Sequence, residues 1–337
     1  MQIPEPRGPL TSALFDALRG NDPSLLPAAP QLVPTAVLDD DLQLALWTCY
    51  ELHYRGFADV PAGWEWQPEL LRLRNDLESL FLDELRHAVS VPVGTGRIAD
   101  RLRDLVAADD GPQLARFVQR KATREQFIEF VVHRSVYHLK EGDPHSWAIP
   151  RLSGRAKAAL IEIQADEYGG GRLDCMHSEL FRRTLRGLGL DDSYGRYVDA
   201  VPGVTLAVSN LISLFGLHRE FRGAVAGHLA AFEMTSSGPN RRYSKGLVRL
   251  GGDERTRRFY DEHVTADALH EQLAAHDLCG GLVGDEPALT DDVLFGAAAC
   301  LHVDNQWAEH VLRCWTQRRT SLRAEHVAAG IPTADVS

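Results

Sequence analysis

Apolar residues recur three and four positions apart along almost the whole chain, which is the spacing of helices that bury one face. The clearest examples are residues 40–54 (DDLQLALWTCYELHY) and 69–89 (ELLRLRNDLESLFLDELRHAV). No segment shows the alternation of a half-buried strand, and no hairpin signal is present in the sequence. The pattern therefore predicts an all-α fold with a core of about seven or eight helices.

Glycines, prolines and polar stretches divide this pattern into separate helices. After the first two, helices are predicted at 98–106, 123–141, 153–168, 175–188, 204–217, 221–236, 255–276, 288–301 and 308–326. Three consecutive glycines at 169–171 end the helix at 153–168, because glycine is a poor helix former. The polar stretch 109–112 (DDGP) is typical of a linker. We therefore predict an N-terminal helical extension at 1–115 and a larger helical domain at 116–330.

The charge balance argues against a nucleic-acid partner. The chain has 36 lysines and arginines against 47 aspartates and glutamates, a net charge of −11. A protein that binds the phosphate backbone non-specifically needs a basic surface, so this class is excluded.

Export and membrane insertion are not indicated by the sequence. The start, MQIPEPRGPL, lacks the basic and then apolar segments of a signal peptide. The longest apolar stretch, 204–217, is interrupted by polar residues and is too short to cross a bilayer. The five cysteines form no CxxC pair, which is typical of reduced thiols. We expect a cytoplasmic protein with no membrane partner.

The sharpest local signal is a triplet formed by His263, Asp267 and His270. At about 100° per residue, offsets of four and seven positions place three side chains within an arc of about 60° on one helix face. Two imidazoles and a carboxylate are a metal-ligand set. The same spacing also arises by chance in a chain with 14 histidines and 47 acids, so the triplet alone leaves both explanations open.

Other acids and a histidine add to this signal. Glu167 precedes the three glycines and His177 follows them, so the glycine break could fold the two residues toward one centre. Glu233 lies in an apolar stretch (GHLAAFEMTSS), where a buried acid requires a cation. Glu141 closes the predicted helix at 123–141, a position that also suits a solvated helix end.

The order of these residues resembles that of the haem-oxygenase-like di-metal oxidases, the iron-containing redox enzymes. The resemblance extends over residues 120–325, and its most characteristic part runs from ADEYGGG at 165–171 to HSELF at 177–181. It implies a haem-oxygenase-like seven-helix bundle at 116–330, preceded by the N-terminal extension. It also implies two Fe(II) ions that activate dioxygen; occupancy of one site only, or manganese in place of iron, is compatible with it.

Carried over to this chain, the resemblance implies a set of seven metal ligands. His177 and His270 would be nitrogen ligands near one another, and His263 would serve the second metal. The carboxylate ligands, terminal or bridging, would be Glu141, Glu167, Glu233 and Asp267. Four carboxylates cancel the charge of two ferrous ions, which an interior of low dielectric constant can accommodate. Glu129 is an alternative to Glu141, and Asp166 is an alternative to Glu167.

The resemblance predicts a non-haem di-iron oxidase or oxygenase. Its substrates would be dioxygen and a small molecule, oxidised by N-oxygenation of an amine or by C–H or C–C cleavage of an amino or fatty acid. Tyr137 and Tyr168 are candidate hydrogen-bond donors beside the ligands. A metal-free enzyme or small-molecule-binding protein on the same scaffold is the alternative, followed by a helical interaction protein. A homodimer is compatible with either function.

Overall fold

The computed structural model describes residues 1–31, 33, 35–91 and 94–323, with the backbone alone at 265–268. All regular secondary structure in these ranges is helical, which confirms the all-α prediction. The helices are α1 (Pro9–Gly20), α2 (Asp40–Glu51), α3 (Pro68–Ala88), α4 (Ile98–Ala107), α5 (Leu114–Arg120), α6 (Arg124–His138), α7 (Asp143–Ser146), α8 (Gly154–Glu167), α9 (His177–Gly187), α10 (Gly203–Leu217), α11 (Arg222–Arg249), α12 (Glu254–Gln272), α13 (Gly280–Asp285) and α14 (Thr290–Thr316). A π-helical segment, Leu273–Cys279, joins α12 to α13.

Helix α11 lies at the centre of the fold and makes its most extensive contacts with α14 and α12. The close approach of α11 and α14 depends on glycines. A Cβ atom at Gly227 would overlap the backbone of Val293, and one at Gly296 would overlap the backbone of Ala224. Small residues at these positions bring the two longest helices together along the core.

The N-terminal helices share the hydrophobic core of the rest of the chain. Helix α2 is buried along most of its length and packs against α10, while α1 packs against α2. Buried apolar residues from Ile3 to Leu322 form one contiguous cluster. Within the described ranges, no helix has both the length and the apolar character needed to span a bilayer.

Two predicted helix boundaries are wrong. Helix α11 does not end at residue 236 but continues through Pro239 to Arg249, because Tyr243 and Leu247 extend its buried face. The helices predicted at 288–301 and 308–326 are one helix, α14, which ends at Thr316. Residues 302–307 (HVDNQW) interrupt the apolar pattern, yet Val303 and Trp307 are buried in the core.

Candidate metal centre

The three glycines after α8 fold the chain back on itself. Gly169, Gly170 and Gly171 all adopt left-handed backbone conformations, with φ of 63°, 60° and 79°. A side chain at Gly169 would overlap the backbone at Cys175 and Met176, so the following segment returns directly onto the end of α8. This turn places His177, the first residue of α9, beside Glu167, the last residue of α8.

A second turn carries Glu141 into the interior. Helix α6 ends at His138, and Glu141 follows within a tight turn completed by Gly142, whose φ is 89°. A Cβ atom at Gly142 would lie 3.2 Å from Cβ of Glu167, so the glycine permits the two acidic segments to approach. Nδ1 of His138 is 3.0 Å from Oε1 of Glu141 and forms a hydrogen bond with it.

A first cluster contains two carboxylates and two imidazoles from four different segments. Glu141, Glu167, His177 and His263 are all buried, and one ligand atom from each lies within 4.8 Å of the others. Nδ1 of His177 is 2.9 Å from Oε2 of Glu167, and Nε2 of His263 is 3.6 Å from Oε1 of Glu141. The rings of His177 and His263 lie side by side, with centroids 4.3 Å apart.

A second cluster shares Glu167 with the first. Glu167, Glu233 and His270 are buried, and their ligand atoms again lie within 4.8 Å of one another. Nδ1 of His270 is 3.5 Å from Oε2 of Glu233, while its Nε2 forms a 3.0 Å hydrogen bond with Oδ2 of Asp166. The two clusters therefore meet at one carboxylate.

In the first cluster, one side-chain atom each of Glu141, Glu167 and His177 has no hydrogen-bond partner among the described residues. Nδ1 of His263 donates to the carbonyl oxygen of Phe259 at 2.8 Å, since a carbonyl can only accept, and this fixes Nε2 as the atom that faces the cluster. Oε2 of Glu141 has no hydrogen-bond partner among the described residues. Nδ1 of His177 and Oε2 of Glu167 are close, but within this part of the chain they are not aligned for a hydrogen bond. Burying such groups without partners is costly. These carboxylate oxygens and imidazole nitrogens therefore fit bound divalent cations.

The pKa values of the clustered residues show that the carboxylates and the positively charged imidazoles stabilise one another. Burial would raise the pKa of Glu141, yet the imidazoles of His138 and His263 hold that pKa well below its usual value. Burial would lower the pKa of His270, but Glu233 and Asp166 raise it to about 9. The pKa of His177 is also raised, because the carboxylate of Glu167 outweighs the effect of burial.

The structure brings six of the seven predicted ligands together: Glu141, Glu167, His177, Glu233, His263 and His270. Their grouping differs from the expected one, because His177 clusters with His263 and not with His270. The side chain of Asp267 lies outside the residues whose side chains the structure describes. Of the two alternative ligands, Asp166 lies beside the second cluster with its side chain 54% exposed. Glu129 instead accepts a hydrogen bond from Nε1 of Trp315 at 2.8 Å, and another from Ser321.

The two predicted tyrosines differ in position. Tyr137 is buried, and burial together with the surrounding carboxylates raises its pKa well above the usual value. Tyr168 donates a 2.8 Å hydrogen bond to Oδ1 of Asp143. The sequence reasoning missed His138, although its position three residues before Glu141 was a usable signal.

A cavity of about 200 Å³ adjoins the first cluster. Its wall includes Glu141, His138 and His263, so it reaches the atoms that would hold a metal. The rest of its wall is formed mainly by residues of α6, α11, α12 and α14. A small molecule in this cavity would contact the first cluster directly.

Comparison with known proteins agrees with this geometry. The family model for iron-containing redox enzymes matches residues 128–305, which is more than half of the chain. The chain belongs to the iron-containing redox enzyme family. Its fold is therefore the haem-oxygenase-like all-α fold, shared with a family of redox enzymes that contain iron.

A curated relative is the nitrosourea synthase of Streptomyces achromogenes subsp. streptozoticus, which is 28% identical over 165 residues. The alignment covers 49% of this chain and 34% of the relative, so the chain matches about a third of the length of that protein.

Proposed function

We propose that this protein is a di-iron oxygenase or oxidase whose two Fe(II) ions would be held by the two clusters, with Glu167 belonging to both. Glu141, His177 and His263 would complete the first site, and Glu233 and His270 would contribute to the second, with Asp267 as a further carboxylate ligand. The observation that supports this proposal most directly is that two separate clusters of buried donors share the single carboxylate of Glu167. A shared carboxylate between imidazole-containing sites is suited to a pair of ions rather than to one.

The irons, when bound, would activate dioxygen and oxidise a small molecule, by N-oxygenation of an amine or by C–H or C–C cleavage. The residues of this chain prepare the site for that chemistry. His138 orients Glu141 through a hydrogen bond, and the carbonyl of Phe259 orients His263. The buried rings of Phe181 and Phe259 pack against His138 and His177 and exclude water from the first cluster.

The proposal is tested by anaerobic reconstitution of the full chain with Fe(II), removal of unbound metal and elemental analysis. The wild type is expected to retain two irons per chain, and Glu167→Gln is expected to lose retention at both sites because it removes the shared ligand. His263→Ala and His270→Ala should each affect mainly one site. Circular dichroism of the same samples checks that the fold is intact, and oxygen uptake with Fe(II) should fall in all three variants.

Glu162→Gln is the matched control, because Glu162 is an exposed acid on the same helix as Glu167. It should retain as much iron as the wild type. If Glu167→Gln retains as much iron as Glu162→Gln, the proposed di-iron site is wrong. If the wild type itself retains no iron or manganese, the metal-free alternative is favoured instead.

A further inference from the structure

The predicted linker between α4 and α5 forms part of the wall of the cavity beside the first cluster. Asp109, Gly111, Pro112 and Gln113 all line this cavity. Residues 109–113 (DDGPQ), which we call the cavity cover, precede the stretch 128–305 that the family model matches. The family match therefore assigns no role to the cover.

Few contacts hold the cavity cover to the rest of the protein. Its residues form no regular secondary structure, and Asp109, Asp110 and Gln113 are exposed. Among the described residues, one hydrogen bond joins the cover to a distant part of the chain: Nδ2 of Asn305, on α14, donates to Oδ1 of Asp109 at 2.6 Å. The other hydrogen bonds of the cover are local. Segments of this kind open at a low cost in free energy.

The helices on either side of the cavity cover are fixed more firmly. Helix α4 is packed through Ile98, Ala99 and Leu102, which are all buried. At the other side, the guanidinium of Arg249 donates to the carbonyl oxygens of Val118 at 3.1 Å and Ala122 at 2.6 Å. These bonds satisfy carbonyl groups at the end of α5 and tie it to α11. We therefore expect movement to be confined to the cover itself.

Gly111 allows the cavity cover to lie directly on α14. A Cβ atom at Gly111 would overlap the side chain of Asn305, so only glycine fits at this contact. Asn305 thus both supports the cover at Gly111 and bonds it at Asp109. Because Asp109 is exposed, its carboxylate can exchange this hydrogen bond for one with water when the two segments separate.

We propose that the cavity cover is a gate and that the hydrogen bond between Asn305 and Asp109 holds it closed. When this bond breaks, the cover would move away from α14 and admit small molecules from solvent to the cavity. The identity of such a molecule as the substrate rests on the proposed function above, whereas the opening itself requires no iron.

The thiol of Cys300 provides a measure of this opening. Cys300 lines the cavity and is 7% exposed. Burial raises the pKa of its thiol, and the carboxylates of Asp304 and Asp109 act in the same direction. Because the thiolate is the reactive form, Cys300 should be alkylated slowly while the gate is closed. Entry of water would favour the thiolate and accelerate the reaction.

Labelling of the full, iron-free chain with iodoacetamide tests the proposal, with each cysteine quantified by peptide mass spectrometry. Asn305→Ala should raise the rate of Cys300 labelling about three- to tenfold, which is the effect of one hydrogen bond on an opening equilibrium. Gln306→Ala is the matched control, because it removes the neighbouring amide of α14, which is not part of the described cavity wall. It should label like the wild type.

A reversible lock tests the opposite direction. The double variant Gly111→Cys/Asn305→Cys introduces two thiols at positions that are in contact, so a disulfide between them would hold the cover on α14. In the oxidised double variant, Cys300 should be labelled more slowly than in the wild type. Reduction of the disulfide should raise the rate to at least the wild-type value, because the bond from Asn305 is also absent.

The other cysteines distinguish opening of the gate from unfolding of the protein. Cys49 and Cys279 are buried and are not part of the described cavity wall, so their labelling should not change. Equal rates at Cys300 in the wild type and Asn305→Ala would overturn the proposal. An equal rise at Cys49 and Cys279 would also overturn it, because the cavity would then open only with the whole protein.

Oxidised and reduced forms of the double variant with the same Cys300 rate would show that reagents reach the cavity by another route, which likewise refutes the gate. Since all these measurements use the iron-free chain, they are independent of the reconstitution test. Iron retention without any effect of Asn305→Ala would refute only the gate, and the predicted labelling without iron retention would refute only the proposed di-iron function.

Discussion

Substitution of Glu51 by glutamine tests whether the N-terminal extension supports the metal centre. Glu51, the last residue of α2, is completely buried and lies 3.7 Å from the ammonium of Lys140, which is also buried. The hydroxyl of Tyr194 donates to Glu51 at 2.7 Å. Lys140 immediately precedes Glu141, so this contact ties the extension to the turn that carries a proposed metal ligand.

The expected loss of stability follows from the burial of both charges. Breaking a buried ion pair by removing one partner costs about 3–5 kcal/mol. Lys140 can limit this cost by losing its proton, because burial already lowers its pKa, and Glu51 is the main group that opposes that shift. From a reference pKa of about 10.4, neutralisation at pH 7 costs at most about 4.6 kcal/mol. We therefore expect Glu51→Gln to lower the free energy of unfolding by about 3–4 kcal/mol.

This mechanism also predicts a pH dependence with a definite sign. If Lys140 is neutral in folded Glu51→Gln but protonated when unfolded, the unfolded state binds one more proton. The stability of the variant should then rise with pH by up to about 1.4 kcal/mol per unit, toward the unfolded pKa of lysine. The deficit relative to the wild type should shrink accordingly between pH 7 and pH 9.

Urea denaturation of four proteins measures these quantities: the wild type, Glu51→Gln, Lys140→Met and the double variant. The double variant should recover most of the lost stability, because it leaves no unpaired buried charge and keeps an acceptor for Tyr194. Glu69→Gln and Lys245→Met, which change exposed residues, serve as controls. A loss below about 1 kcal/mol for Glu51→Gln, or a double variant as unstable as Glu51→Gln, would refute the reasoning.

The same variants test whether the N-terminal extension affects iron binding. Because Lys140 and Glu141 are adjacent, we expect Glu51→Gln to retain less iron than Lys245→Met under conditions where both are folded. The division of the chain at residue 115 remains a prediction. If it is correct, the extension contributes an interior contact that the larger domain cannot replace.

Two further predictions concern packing and buried histidine. Gly227→Ala should destabilise the protein by at least about 1–3 kcal/mol, because the added methyl group would overlap the backbone of α14. Gly284→Ala is the control, because nothing lies within 4 Å of its Cβ position, and it should be neutral or stabilising. Thermal denaturation measures both effects. His133 is buried between Thr205 and Ser321, and burial lowers its pKa well below 6.5, so only the unfolded state takes up its proton as the pH falls below about 6.5. Replacing it by glutamine should therefore reduce the loss of stability between pH 7.5 and pH 5.5 by up to about 1.4 kcal/mol per pH unit, as measured by urea denaturation, and an unchanged pH dependence would contradict this assignment.

The predictions that agreed with the structure came from features that are local in the chain. Helical periodicity is visible within a few turns, and it correctly predicted the all-α class. The three glycines at 169–171 indicated a reversal of direction, and the structure shows how left-handed backbone at these positions brings His177 to Glu167. The acid in an apolar stretch, Glu233, is indeed buried.

The features that sequence reasoning missed depend on contacts between distant residues. Arg134 and Asp304 are 170 positions apart, and neither has a local pattern that indicates its partner. Asp304 and its polar neighbours were instead interpreted as a break in the helix, because they interrupt the apolar pattern, yet they lie within α14. The burial of Lys140 by α2 is likewise a consequence of tertiary packing.

The two clusters differ in their surroundings, and this difference bears on how the proposed ions would function. All four residues of the first cluster are buried, and two of them, Glu141 and His263, line the cavity beside it. In the second cluster, His270 is bonded to Asp166, whose side chain is half-exposed. Because a buried ion gives up its hydration while an ion near an exposed carboxylate keeps part of it, the second position would exchange its ion with solvent more readily. A small molecule in the cavity would thus contact the enclosed first cluster, while the second cluster would hold its ion beside the half-exposed Asp166.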